Sequence, residues 1–162
     1  MTGKTTTCAV TLLALCSARH LDGQSATQRV TFQVNALNRM AVSGSQTPMA
    51  ITTVTAGMAP TPVIGSGGTY TLTTNERNQK IIAAIDESLP TGVRLEVALG
   101  PPVGAVSSGL VPLGTDEMDV VTGINATVTD ALPITYRLSA TESAYAPGAQ
   151  SRSVTFTIIA AP

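Results

Sequence analysis

Short segments in which apolar and polar residues alternate run through most of this chain and constrain its fold more than any other feature. In "RVTFQV", Val30, Phe32 and Val34 alternate with polar residues, and "PITYRLSAT" at 133–141 alternates in the same way. Successive side chains of a β-strand point to opposite faces, so each segment predicts a strand with one buried face. The chain therefore favours antiparallel sheets over helices.

Three more segments carry the same period: "GTYTLTT" at 68–74, "GVRLEVALG" at 92–100 and "RSVTFTII" at 152–159. Residues 75–89 are ambiguous, because their isoleucines fit a helical spacing as well as an alternating one. The alternation of Ile81, Ala83 and Ile85 favours a strand there.

Glycine and proline clusters separate these segments at intervals that suit a sandwich. "GSGG" at 65–68 predicts a flexible turn, and "ESAYAPGAQS" at 142–151 predicts the loop of a final hairpin. Together, the strands and turns predict an all-β fold, an immunoglobulin-like antiparallel β-sandwich of about seven to nine strands in a single domain.

The first 25 residues have the layout of a secretory signal peptide. Lys4 gives a positively charged start, and an apolar run rich in Leu and Ala follows at 8–18, too short for a transmembrane helix. "GQS" supplies the small residues that cleavage needs, which predicts a mature start near Ala26 and a β-sandwich domain at 26–162. Lipidation at Cys16 and a retained amphipathic N-terminal helix are the alternatives.

Cleavage at this point would remove both cysteines and the only histidine of the chain. The remaining domain would lack the residues of Cys–His and Ser–His–Asp catalysis, the usual zinc and copper ligands, and any disulfide. The adjacent carboxylates Asp86 and Glu87 would point to opposite faces of a strand, which disfavours a glycosidase pair. We therefore expect no enzymatic activity and no cofactor.

Charge argues against two classes of partner. Removing residues 1–25 takes away Lys4, Arg19 and Asp22, which leaves seven basic and nine acidic side chains. Such a domain presents no basic field to nucleic acid or to an anionic membrane, so neither partner is expected.

The acidic segment "TDEMD" is the one candidate for a metal. Asp116, Glu117 and Asp119 carry the hard oxygen ligands that Ca²⁺ uses. A calcium loop normally brings together five or more oxygens, and this segment supplies three carboxylates. A solvated acidic turn is therefore the favoured interpretation, with Ca²⁺ as the alternative.

The succession of "VTFQVNALNRMAVSG", "TYTLTTNERNQKIIAAIDESLPTGVRLEVAL", "DVVTGI" and "ITYRLSAT … SRSVTFTI" resembles secreted bacterial proteins of fimbrial, pilin or surface-filament type. The resemblance implies a homopolymer at the cell surface, in which one subunit donates a strand to the next. It would make residues 26–36 the donor strand, with Val30, Phe32 and Val34 at the subunit interface. The predicted mature domain lacks the cysteine pair that many such pilins carry, and it lacks their C-terminal aromatic signature.

Two functions follow as expectations. The first is a secreted, non-enzymatic structural subunit of an extracellular filament or surface layer that assembles with copies of itself. The second is a monomeric adhesive or ligand-binding surface module that uses loops such as 57–68 and 100–117.

Overall fold

The computed structural model describes residues 26–44, 48–145 and 148–162. The chain divides into two units, Met1–Gln33 and Val34–Pro162. In the first unit, residues 26–33 form no strand and their side chains are exposed. The predicted leader, residues 1–25, and the alternative of lipidation at Cys16 lie outside the described residues.

The second unit contains nine described strands. They are β1 Asn38–Ser43, β2 Val63–Thr74, β3 Gln79–Ile85, β4 Val93–Leu99, β5 Val106–Ser107, β6 Val111–Pro112, β7 Met118–Ile124, β8 Thr127–Ala140 and β9 Val154–Ala160. All pairings between them are antiparallel. The predicted all-β antiparallel sandwich is confirmed. The described part of the chain holds no helix of the length and apolarity that a membrane span requires.

The strands form two sheets. The first has five strands in the order β1-β2-β8-β4-β6, and the second has four in the order β5-β7-β3-β9. Strand β1 contacts β9, and β6 contacts β7, so the two sheets are stacked with β1 and β9 at the same side. This side of the sandwich, between β1 and β9, is called the open side below.

Alternation explains the core. In β4, Leu95, Val97 and Leu99 are buried, and in β3 so are Ile81, Ala83 and Ile85, as their period predicts. The inner faces of the two sheets pack these side chains into one cluster of buried residues. The strand predicted in the ambiguous segment 75–89 is β3, because its alternating side chains have a second sheet to pack against.

Three sequence expectations were wrong. Strands β8 and β9 do not form a final hairpin, because β8 pairs with β2 and β4 in one sheet while β9 pairs with β3 in the other. The intervening loop therefore crosses between sheets. The segment "RVTFQV" is not a half-buried strand, since Val30, Phe32 and Val34 are exposed and unpaired in the described structure.

The third wrong expectation is the flexible turn predicted at "GSGG", because these four residues lie inside β2. The register between β2 and β8 shifts between Ser66 and Thr69, as in a β-bulge. A Cβ on Gly67 would lie 2.4 Å from the ring of Tyr136, so this glycine lets the buried tyrosine pack against the backbone. The glycines serve close packing rather than flexibility.

Candidate subunit interface

The open side ends in two strands that each have an unpaired edge among the described residues. Strand β1 pairs only with β2, and β9 pairs only with β3. The β9 edge is seven residues long, and its sequence "VTFTIIA" contains no charge and no proline. An edge of this length without such protection can pair with another strand.

Inward-facing apolar side chains on this side are only partly covered. In β9, Val154, Phe156 and Ile158 lie opposite the buried Ile85, Ala83 and Ile81, so they face the core, yet each is partly exposed.

Strand β1, in the facing five-stranded sheet, is also incompletely covered. Its Val42 lies opposite the buried Tyr70, yet the valine side chain is 52% exposed. The five-stranded sheet thus extends to β1, and a further strand beside β9 would give the four-stranded sheet a fifth member. That strand would cover the partly exposed side chains of both sheets.

One end of the open side, called the proximal end, is where β1 begins and β9 stops. Hydrogen bonds to the turn 75–78 hold the start of β1 and the end of β9 at this end. Asn75 donates its backbone N–H to the Leu37 carbonyl (3.2 Å) and its carboxamide Oδ1 accepts from Leu37 N–H (2.8 Å), while Ala161 N–H donates to the Asn78 carbonyl (2.8 Å). The carboxamide Nδ2 of Asn75 also donates to the Asn35 carbonyl (2.8 Å). Asn35 and Leu37 are therefore held at the proximal end.

The inward face is polar at the proximal end. Thr74 is buried, and its Oγ1 donates to Asn38 Oδ1 at 2.6 Å. Gln79 is 2% exposed, and its Nε2 donates to the Arg77 carbonyl at 3.2 Å and to Glu76 Oε2 at 3.4 Å. Its Oε1 is buried and has no hydrogen-bond partner within the described structure.

The opposite, distal end of the open side is fixed by the start of β9. Ser153 N–H donates to Asp86 Oδ1 at 3.0 Å, and Asp86 N–H donates to the Ser153 carbonyl at 3.2 Å. The bond from the Ser153 backbone lowers the pKa of Asp86, because it favours the ionised carboxylate. Asp86 thus anchors a strand terminus.

The residues predicted as a donor strand carry the apolar surface that such a role needs. Val30, Phe32 and Val34 are 72%, 86% and 74% exposed. Three large apolar side chains that alternate with polar ones give one segment an apolar face and a polar face. The described part of the chain offers this segment no strand partner.

The calcium candidates lie at the start of β7. Asp116 and Glu117 are on the exposed turn before the strand, and Asp119 is in it. Asp119 forms an ion pair with Lys80 Nζ at 2.8 Å, so the charge of this carboxylate is already paired. In the described ranges, no three His, Cys, Asp or Glu side chains are grouped so as to hold a metal ion.

Sequence reasoning missed a buried carboxylate on the outer face of the five-stranded sheet. Alternation directs Glu96 outward, yet it is 1% exposed. Its carboxylate pairs with Arg137 of β8 and, at 3.2 Å, with Arg94 of its own strand. The bond to Glu96 raises the pKa of the Arg137 guanidinium further above its usual range. This charge cluster joins β4 to β8.

A shallow depression lies elsewhere on the second unit. Residues 101–103 and 127–132 line it, and its volume is about 420 Å³. Val103 and Val128 are strongly exposed at its rim. The lining holds one charged side chain, Asp130, and no grouping of nucleophile and base.

Comparison of the chain with protein-family models, with curated proteins and with solved structures found no match.

Proposed function

We propose that this protein is a secreted, non-enzymatic structural subunit of an extracellular filament or surface layer, in which residues 26–36 of one copy pair with the β9 edge of the next. The observation that carries the proposal is that the chain has both halves of such an interface. It has an exposed segment with an apolar face, and an uncharged strand edge beside partly exposed core side chains.

The energetics favour pairing over leaving both surfaces in water. Burying a Val or Phe side chain fully contributes about 1.5–3 kcal/mol. Val30, Phe32 and Val34 together contribute about 5–9 kcal/mol, and backbone hydrogen bonds to β9 add to this gain against the cost of ordering the segment. The same insertion covers Phe156 and Ile158.

An exchange of this kind between a segment and an edge on different parts of the chain is heterologous. Such contacts generate open chains of subunits unless the rotation between neighbours closes a ring. A filament or layer is therefore the expected product, with a free acceptor edge at one end and a free donor segment at the other.

The test is a matched pair of substitutions on the two faces of the segment. Phe32→Asp places a charge on the apolar face, and Thr31→Asp places the same charge on the polar face. The protein is expressed from the full-length sequence, and its molar mass is measured by light scattering with electron microscopy of the largest fraction. We expect polymers from the unchanged and Thr31→Asp proteins and monomers from Phe32→Asp.

Both substituted side chains are exposed in the subunit, so neither should unfold it. Cooperative unfolding of the Phe32→Asp monomer would establish that the loss concerns assembly. Polymers that persist in Phe32→Asp, or an unchanged protein that is monomeric at all concentrations, would refute the proposal.

A monomeric ligand-binding surface module is the second candidate, and the depression at 101–103 and 127–132 favours it. Exposed Val103 and Val128 would supply an apolar contact at its rim. This candidate requires a monomer whose mass and stability are the same with and without the Phe32→Asp substitution.

A further inference from the structure

We propose that segment 26–36 of the donating copy runs antiparallel to β9 and bonds to it through the backbone of the same residues whose side chains enter the core. In this register Val30, Phe32 and Val34 lie opposite Ile158, Phe156 and Val154, respectively. The inference rests on the proposed function and adds to it the direction and the register of the inserted strand.

The direction in which each backbone group of β9 points follows from its pairing with β3. The two strands pair antiparallel without a register shift. At the distal end Asp86 N–H donates to the Ser153 carbonyl (3.2 Å), and at the proximal end Ala161 N–H donates to the Asn78 carbonyl (2.8 Å). Because hydrogen-bonded residues alternate along an antiparallel ladder, the odd-numbered residues of β9 bond to β3. The even-numbered residues therefore direct their N–H and C=O groups to the free edge.

The same even-numbered residues carry the inward side chains of β9. Val154, Phe156 and Ile158 lie opposite buried residues of β3 and remain partly exposed. Each of them therefore offers an incoming strand two backbone hydrogen bonds and an apolar contact at one position. In an antiparallel pair, two such residues exchange both hydrogen bonds and point their side chains to the same face. The incoming residues that bond to β9 must then be the ones with apolar, inward side chains.

The donor segment meets this requirement best in one register. Its apolar residues recur at every second position, as do the partly exposed inward residues of β9. With Phe32 opposite Phe156, the two rings form a cross-strand aromatic pair with a valine of the donor on either side. A shift of two residues would set the polar Gln28 opposite Ile158, or the small Ala36 opposite Val154. Either shift would cover less of the apolar row.

A parallel strand would have to use different backbone groups. To place the same apolar residues inward, it would bond to β9 through Thr31, Gln33 and Asn35, because two opposite residues of a parallel pair do not both face the shared edge. The Asn35 carbonyl would then have to accept from Ala160 N–H. This carbonyl already accepts from Asn75 Nδ2 at 2.8 Å within its own subunit. The antiparallel strand needs no hydrogen bond from Asn35, so it leaves that contact intact.

The antiparallel direction also produces an open assembly. Asn35 and Leu37 lie at the proximal end of the donating copy, whereas in the proposed register Val34 lies at the distal end of the acceptor. Neighbouring copies therefore meet proximal end to distal end, and repetition of this contact gives a polar chain of subunits. Parallel insertion would bring two proximal ends together and would permit a reciprocal, closed dimer.

Peptides with one methylated backbone nitrogen test the direction. The acceptor is the full-length Phe32→Asp protein, and the probe is a synthetic peptide of residues 26–36, either unmodified or N-methylated at Phe32 or at Thr31. Amide hydrogen exchange along β9 reports binding. We expect the unmodified and the Thr31-methylated peptides to protect Val154–Ala160, because Thr31 N–H faces away from β9. Methylation at Phe32 removes a hydrogen bond to β9, so we expect this protection to be lost.

The matched peptides separate the direction from strand donation itself. Loss of protection on methylation at Thr31, or protection that survives methylation at Phe32, would overturn the antiparallel assignment while leaving strand donation intact. An unmodified peptide that protects no part of β9 would refute the proposed function as well.

Disulfide trapping tests the register in the assembled full-length protein, after both native cysteines have been changed to serine. Two variants place cysteines opposite one another in the proposed register, Val30→Cys with Ile158→Cys and Val34→Cys with Val154→Cys. Two control variants do so in the parallel register, Val30→Cys with Val154→Cys and Val34→Cys with Ile158→Cys. Non-reducing gels show which variants form ladders of linked subunits.

We expect ladders from the first two variants and not from the controls. Ladders from the controls, or polymers in which no pair becomes linked, would overturn the register. Monomeric protein in every case, including the cysteine-free background, would refute the proposed function as well.

Discussion

The two sides of the sandwich end in different ways. At the side opposite β1 and β9, the edges are the two-residue strands β5 and β6, and β6 contains Pro112. Short strands and proline prevent further pairing. The open side instead presents the seven-residue β9, with neither device. One side of the sandwich is therefore protected against strand pairing, whereas the other ends in a longer edge without these protections.

Burial follows the same division. Val120, Val121 and Ile124 of β7, which lies inside its sheet, are fully buried, whereas the inward side chains of β9 remain partly exposed. If a further strand paired with the free edge of β9, the inward side chains of β9 should become as buried as those of β7. Four substitutions measure how much individual side chains in these regions stabilise the single subunit.

The largest expected effect compares two isoleucines. In a monomeric background carrying Phe32→Asp, Ile124→Ala should lower the free energy of unfolding by about 3–4 kcal/mol, because it leaves a cavity in a closed core. Ile158→Ala should cost only about 1 kcal/mol, because water already reaches that side chain. Chemical denaturation measures both values, and equal losses would show that β9 is as well covered as β7.

A smaller effect is expected on the outer face beside the protected side. Glu96→Gln should lower the free energy of unfolding by about 1–2 kcal/mol. The change weakens the pairs with Arg94 and Arg137, and the partial exposure of both arginines limits the cost. Denaturation at low and high salt checks this, and an unaltered stability would show that the buried carboxylate does not hold β4 to β8.

The smallest effect on stability is expected at Tyr70, a buried core residue that lies opposite Val42 of β1. Its hydroxyl donates to the Gly100 carbonyl at 2.6 Å, so Tyr70→Phe should cost about 1 kcal/mol at neutral pH. The measurement is again chemical denaturation, and an unchanged midpoint would contradict the role of this bond.

The same tyrosine gives a pH dependence. Burial raises the pKa of Tyr70 to about 12, and it raises the pKa of Tyr136 as well. The folded state therefore favours the protonated phenols, and this contribution is complete below pH 10, the ordinary pKa of tyrosine, and is lost as the pH rises towards 12. Tyr70→Phe should make the decline in stability over that interval shallower. A decline of unchanged slope would contradict this assignment.

Alternation predicted strands β3 and β4 and the side chains through which they contribute to the core. It could not predict strand partners, because an alternating pattern is the same whichever neighbour a strand has. For this reason the final hairpin was wrong, with β8 and β9 in different sheets. The same limit applies to "RVTFQV", whose pattern matches that of β9 although it has no partner in its own described chain.

Only one of the two surfaces of the candidate interface could be predicted from the sequence. The apolar face of residues 26–36 is visible in the sequence, whereas the unpaired edge of β9 depends on sheet order. Gln79 and Glu96 were missed for a related reason. Gln79 is held by the turn 75–78, and Glu96 is paired with Arg94 of its own strand and Arg137 of the neighbouring strand; neither arrangement leaves a periodic signal in the sequence.

The most direct test of the central claim supplies the donor segment in trans. A synthetic peptide of residues 26–36 is added to the monomeric Phe32→Asp protein, and amide hydrogen exchange is measured along β9, with a Phe32→Asp peptide as the control. We predict that exchange of the Val154–Ala160 amides slows only with the unchanged peptide. Equal exchange with both peptides, or protection elsewhere than β9, would contradict the claim that this edge accepts the N-terminal segment of another copy.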